Sequence, residues 1–127
     1  MKENLVILGS TGSIGVNTLE VIEMHRDKFN VFAISANSSV EVLISQCEKF
    51  NPNYVHISKE ADAKKIKLAI EKLDLRTKII FGKSELNSIV SNENVDTVVC
   101  AISGSAGLES SLNAVKSGKK ILLANKE

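Results

Sequence analysis

The chain has 127 residues, 43% of them apolar and 24% charged, with 16 basic against 15 acidic side chains and a net charge of +1. One ordinary domain fits that length and two do not, and this much apolar surface excludes a disordered chain. The even charge balance leaves no broad footprint for nucleic acid, and no apolar run approaches the ~18 residues of a membrane helix.

The first apolar run, Leu5–Leu8, reads as a strand. It is too short for the apolar core of a secretory leader, so the chain is expected in the cytoplasm. It runs straight into Gly9-Ser10-Thr11-Gly12-Ser13-Ile14-Gly15, a G-x-x-G-x-x-G loop that opens a helix with Ile14, Thr18, Leu19 and Ile22 on one face. A strand, a glycine loop and a helix in that order form a cradle for phosphates. Gly9 permits the tight turn, Gly12 lets a pyrophosphate approach the backbone, and Gly15 lets the helix pack against the sheet. The amides of the first turn and the positive end of the helix dipole then hold the anion, with Thr11 and Ser13 adding hydroxyl donors. A dinucleotide fits this loop best; another phosphate-bearing ligand and a purely structural turn are the alternatives.

The second strand, Val31–Ile34, is followed by Ala36-Asn37-Ser38-Ser39, with no acid before Glu41. NAD enzymes place an acid there for the ribose 2′-hydroxyl, so its lack favours NADPH over NADH by permission more than by attraction. Asn37, Ser38 and Ser39 can donate hydrogen bonds to a 2′-phosphate, or serve only as helix caps. Ser38-Ser39-Val40-Glu41 has the form of a capping box. The helix it would start carries Val40, Leu43, Ile44 and Cys47 at i, i+3, i+4 and i+7, and Asn51-Pro52 stops it.

Tyr54–Ile57 reads as the third strand, and Ile66, Ala69, Ile70 and Leu73 stripe the helix after it, with Lys64, Lys65 and Lys67 on its solvated side. Ile79–Phe81 is the fourth strand, and residues 84–93 read as a short polar helix or turn. The fifth strand, Thr97–Ile102, overlaps a loop of small residues from Ala101 to Gly107, which would let a flat ring and a ribose lie close. Leu108, Leu112 and Val115 mark a last helix, ended by Gly118, and Ile121–Leu123 a sixth strand. Asn125, Lys126 and Glu127 follow it, placed either for ligand contact or as a polar terminus.

These strands are nearly continuous apolar runs, the pattern of strands covered on both faces. Joined through helices they must run parallel. The expected fold is a doubly wound α/β sheet, a three-layer α/β/α sandwich of the NAD(P)-binding Rossmann-like class. His25 and His56 stand alone in sequence, no residue set has metal-ligand spacing, and Cys47 and Cys100 read as small buried hydrophobes. No nucleophile has an adjacent base, so no catalytic residue is assigned.

Three blocks together resemble one family, 1-deoxy-D-xylulose 5-phosphate reductoisomerase: the loop Gly9–Gly15, the loop from Ala101 to Leu108, and Leu123-Ala124-Asn125-Lys126-Glu127. Gln46 with Phe50-Asn51-Pro52 fits as well, and the likeness spans essentially the whole chain. The resemblance implies an enzyme that rearranges 1-deoxy-D-xylulose 5-phosphate and reduces the resulting aldehyde with NADPH, giving 2-C-methyl-D-erythritol 4-phosphate. It implies that Thr11, Gly12, Ser13 and Ile14 bind the NADPH phosphates and ribose, between Gly9 and Gly15, and that Ala101 lies beside the cofactor. Asn37, Ser38 and Ser39 would face the 2′-phosphate, Asn125 and Glu127 the nicotinamide side, and Lys126 the phosphorylated sugar substrate.

Where many members have Gly-Lys-Asn, this chain has Asn37-Ser38-Ser39. The family's metal-binding acids for Mg²⁺ or Mn²⁺, its substrate-phosphate ligands and its C-terminal helical domain lie beyond the segment matched. Residues 1–127 are therefore expected to be an NADPH-binding domain, monomeric by itself although the whole enzyme is a homodimer, and to bind NADPH without turnover. The alternatives are the Rossmann domain of another NADP-linked reductase and a self-contained nucleotide-sensing module.

Overall fold

The computed structural model describes residues 2–102 and 112–123. Six parallel strands, β1 (Glu3–Leu8), β2 (Phe29–Ala36), β3 (Tyr54–Ile57), β4 (Lys78–Phe81), β5 (Thr97–Cys100) and β6 (Lys120–Leu123), form one sheet in the order β4-β3-β2-β1-β5-β6. Helices α1 (Ser13–Met24), α2 (Val40–Phe50), α3 (Glu60–Lys72) and α4 (Lys83–Val90) connect the strands, and residues 112–116 are also helical.

The strand order dictates which face each helix covers. From β1 to β4 the chain steps outward in one direction, so crossovers of one hand put α1, α2 and α3 on the same face. The next step returns across the sheet to β5, and the one after continues to β6, so their connections fall on the opposite face. The buried residues divide accordingly. Leu19 and Ile22 of α1, Leu43 and Cys47 of α2, and Ile66 and Ile70 of α3 pack on Leu5, Ile7, Ile34 and Val55. Ile89 and Val90 of α4 and Ala114 pack on Val6, Leu8, Val98 and Cys100. Alternate residues of β1 thus feed two cores, and each fully buried Leu or Ile contributes roughly 1.5–3 kcal/mol. This is the expected three-layer, doubly wound sandwich.

Local outcomes depart from the sequence expectations in three places. No capping box forms: Ser39 and not Ser38 is the N-cap of α2, its backbone is left-handed at φ 66°, and no side chain caps that end. A side-chain cap needs an extended backbone at the N-cap residue, which Ser39 does not have. The fifth strand stops at Cys100, two residues short of Ile102, while the short polar segment near residue 84 is a helix, α4, one of the two forms expected. Of the apolar stripe before Gly118, Leu112 and Val115 do not face the core, and Leu108 lies outside the described residues. Ala114 is buried there, while Leu112 and Val115 are 51% and 59% exposed. Gly118 does end the helical segment, with φ at +77° and its amide bonded to Val115 O. Lys64, Lys65 and Lys67 are exposed, as their solvated reading requires. Cys47 and Cys100 are buried, and burial pushes the Cys47 thiol up to about 12.

Candidate functional site

The carboxyl ends of β1, β2, β3 and β5 open into one crevice of about 510 Å³, lined by Gly9, Thr11, Gly12, Ser35, Ala36, Asn37, Ser38, His56, Ser58, Leu86, Ala101 and Ile102. It stands where strand order reverses, between the β1–α1 loop and the loop after β5, the usual ligand position of an open α/β sheet.

The glycine loop is held rigidly from below. The amides of Gly9 and Ser10 both donate to the carbonyl of Ser35, at 2.8 and 3.0 Å, and the amide of Ala101 donates to Leu8 O at 2.8 Å. Ser10 is fully buried and locked to α2 by two bonds: its hydroxyl donates to Gln46 Oε1 and its carbonyl accepts from Gln46 Nε2, both at 2.8 Å. Gly9 is left-handed at φ +81°, and a Cβ there would stand 2.6 Å from Ile102 Cγ2. Gly15 has no room for a Cβ either, because the Gly9 carbonyl oxygen and the Ser10 backbone occupy that space. The close approach at Gly15 is to the loop itself, not to the sheet as the sequence suggested.

Gly12 differs from both. Its φ of −77° suits any residue, and a Cβ would meet only Gly9 O, at an ordinary 3.8 Å. It is the N-cap of α1, where no side chain caps the helix and no acid stands in the first turn. The first-turn amides and the helix dipole are thus left for an outside anion.

Of the residues singled out from the sequence, Gly9, Thr11, Gly12, Asn37, Ser38 and Ala101 line the crevice together. Ser13 is exposed and Ile14 half-buried at the start of α1, and Gly15 is buried beneath the loop. Ser39 is exposed and belongs to the cap of α2, not to the crevice lining. Asn125, Lys126 and Glu127, and the loop residues from Ser103 to Leu108, lie outside the described residues. Among the described residues no group of three His, Cys, Asp or Glu side chains could hold a metal ion, and no helix is long and apolar enough to cross a membrane.

Sequence reasoning missed Ser35, His56, Ser58 and Leu86. His56 is buried at the crevice wall, with Nδ1 2.9 Å from Ser35 Oγ and Nε2 2.7 Å from Gly82 O. A carbonyl only accepts, so Nε2 carries the proton, and Nδ1 accepts from the Ser35 hydroxyl. Burial lowers the imidazole pKa from 6.5, against smaller upward pulls from the Gly82 carbonyl and Glu85. No sequence signal marks this histidine, since its partners are 21 and 26 positions away.

Residues 5–127 match the family model of 1-deoxy-D-xylulose 5-phosphate reductoisomerase. A 1-deoxy-D-xylulose 5-phosphate reductoisomerase of Saccharophagus degradans is 47% identical over 125 residues, which are 98% of this chain and 32% of that protein. A crystal structure of DOX-P reductoisomerase in complex with NADPH, fosmidomycin and magnesium superposes with a TM-score of 0.91 at 40% identity, over 97% of this chain and 30% of that one. The Zymomonas mobilis reductoisomerase in complex with NADPH gives 0.90 at 30% identity, over 98% and 32%. The chain spans about a third of the length of these relatives.

Proposed function

The chain belongs to the 1-deoxy-D-xylulose 5-phosphate reductoisomerase family, and from that premise we propose that residues 1–127 are the NADPH-binding domain of such an enzyme. The observation that carries this reading is Gly12. Neither its backbone nor its neighbours demand a glycine, and the uncapped N-terminus of α1 beside it has room for an outside group pressed against the first-turn amides. A pyrophosphate is such a group, and the crevice beside it is of the size that cofactors occupy.

In this reading the amides of Ser13, Ile14 and Gly15 and the hydroxyls of Thr11 and Ser13 hold the phosphates. Gly9 shapes the turn, and Asn37 and Ser38 donate to the 2′-phosphate, with Ser39 setting the position of that loop. Ala101 borders the ribose; Asn125 and Glu127 serve the nicotinamide side, and Lys126 the phosphorylated sugar. Bound NADPH supplies the hydride that reduces the rearranged aldehyde to 2-C-methyl-D-erythritol 4-phosphate. The Mg²⁺ or Mn²⁺ ion and the rearrangement are assigned, from the family resemblance, to the part of such an enzyme that this segment does not span. We further propose that the whole enzyme is a cytoplasmic homodimer, and that the 127-residue chain is monomeric and binds NADPH without turnover.

Calorimetric titration of the chain with NADPH and then NADH, at fixed salt, tests the reading. NADPH is expected to bind more tightly, and Gly12→Val is expected to fold and lose the cofactor, because its two methyls fill the pyrophosphate space. A folded Gly12→Val chain with unchanged affinity overturns the assignment.

A further inference from the structure

We propose that His56 is a positioning residue for the adenosine half of the cofactor, a brace that ties β2, β3 and the β4–α4 turn into one wall of the crevice. The inference rests on reading that crevice as an NADPH site. On one side His56 holds the hydroxyl of Ser35, and the carbonyl of the same residue receives the amides of Gly9 and Ser10. The ring is therefore one residue removed from the glycine loop. On the other side it donates to the carbonyl of Gly82, a left-handed residue at φ +90° that starts α4. Leu86, on the first turn of that helix, lines the same crevice. The length of the imidazole thus sets the distance between the Leu86 wall and the loops after β1 and β2, which is the slot a flat base would enter.

Packing alone does not explain a histidine here. An apolar side chain would fill the volume without the cost of burying two polar nitrogens, which are tolerable only because both are bonded. Both bonds go to protein groups, so the neutral ring has nothing left for the ligand and acts through Ser35 and Gly82. Burial favours that neutral form.

The test is titration with adenosine 2′,5′-bisphosphate, the non-nicotinamide half of NADPH, on the chain and on three variants. His56→Leu keeps the volume and loses both bonds; His56→Gln can keep a donor toward Gly82; His56→Asn keeps only the side facing Ser35. His56→Leu is expected to bind about tenfold more weakly, the loss of one net hydrogen bond or slightly more, and His56→Gln to recover most of it. Should His56→Leu not fold, His56→Asn, which gives up only the Gly82 bond, carries the same expected weakening. A folded His56→Leu with native affinity, or a His56→Gln no better than His56→Leu, overturns the brace. A native chain that binds neither this probe nor NADPH overturns the cofactor reading and the brace with it.

Discussion

A methyl group placed on Gly15 would lie 2.7 Å from Ser10 Cα and collide with the Gly9 carbonyl oxygen, whereas one on Gly12 would meet ordinary contact distances. Gly15 is glycine because the fold leaves no room for a side chain, whereas nothing within the fold demands a glycine at position 12. Gly15→Ala is therefore expected to cost at least the ~1–3 kcal/mol of overpacking, read as a lower urea midpoint. Gly12→Val should move that midpoint little. Comparable losses at both positions would mean that Gly12 is structural too. The motif was legible from spacing, with Gly12 assigned to a ligand and Gly15 to packing; that Gly15 meets the backbone of Gly9 and Ser10 was not, because it depends on which backbone atoms come close in three dimensions. The α2 cap makes the same point: Ser38 is the serine three residues from Glu41, yet Ser39 is the N-cap, with a left-handed backbone and no side-chain cap bond.

Strands and helices were more legible than caps. Tyr54–Ile57 is bounded as the sequence suggests, and the stripes on α2 and α3 put Leu43, Cys47, Ile66 and Ile70 in the core. Those signals are local, set by period and by apolar identity. What failed depended on partners elsewhere, as with Leu112 and Val115, which have the right spacing and face outward. Helix α2 does more than cover the sheet. Through Gln46 it holds Ser10 by both its hydroxyl and its carbonyl, so a side chain 36 residues away keeps the glycine loop in shape. Gln46→Leu leaves a buried carbonyl and hydroxyl without partners and should destabilise the chain by about 1–3 kcal/mol. A denaturation curve superposing on the native one would show that the loop does not depend on this lock.

At the scale of the whole molecule, the sheet ends in two edges of different character. Phe81 is 43% exposed at the β4 edge, and near the β6 edge Leu112, Val115 and Leu122 are each more than half exposed. Apolar side chains beside an unpaired strand invite edge-to-edge pairing. The 127-residue chain, monomeric when dilute, should accordingly self-associate as its concentration rises, in spite of its ordinary composition. Static light scattering giving a constant monomer mass up to high concentration would refute this.

The central strand has a consequence in time as well as in space. β1 is made first, but one of its two neighbours is β5; the amide of Asn4 bonds the carboxylate of Asp96, 92 positions away. During synthesis β1 must wait for nearly the whole segment before its second side is paired. The crevice opens beside that same junction, so the ligand-holding end of the molecule is completed last. A chain halted before β5 can form the β1–β2 side of the sheet and still have no site.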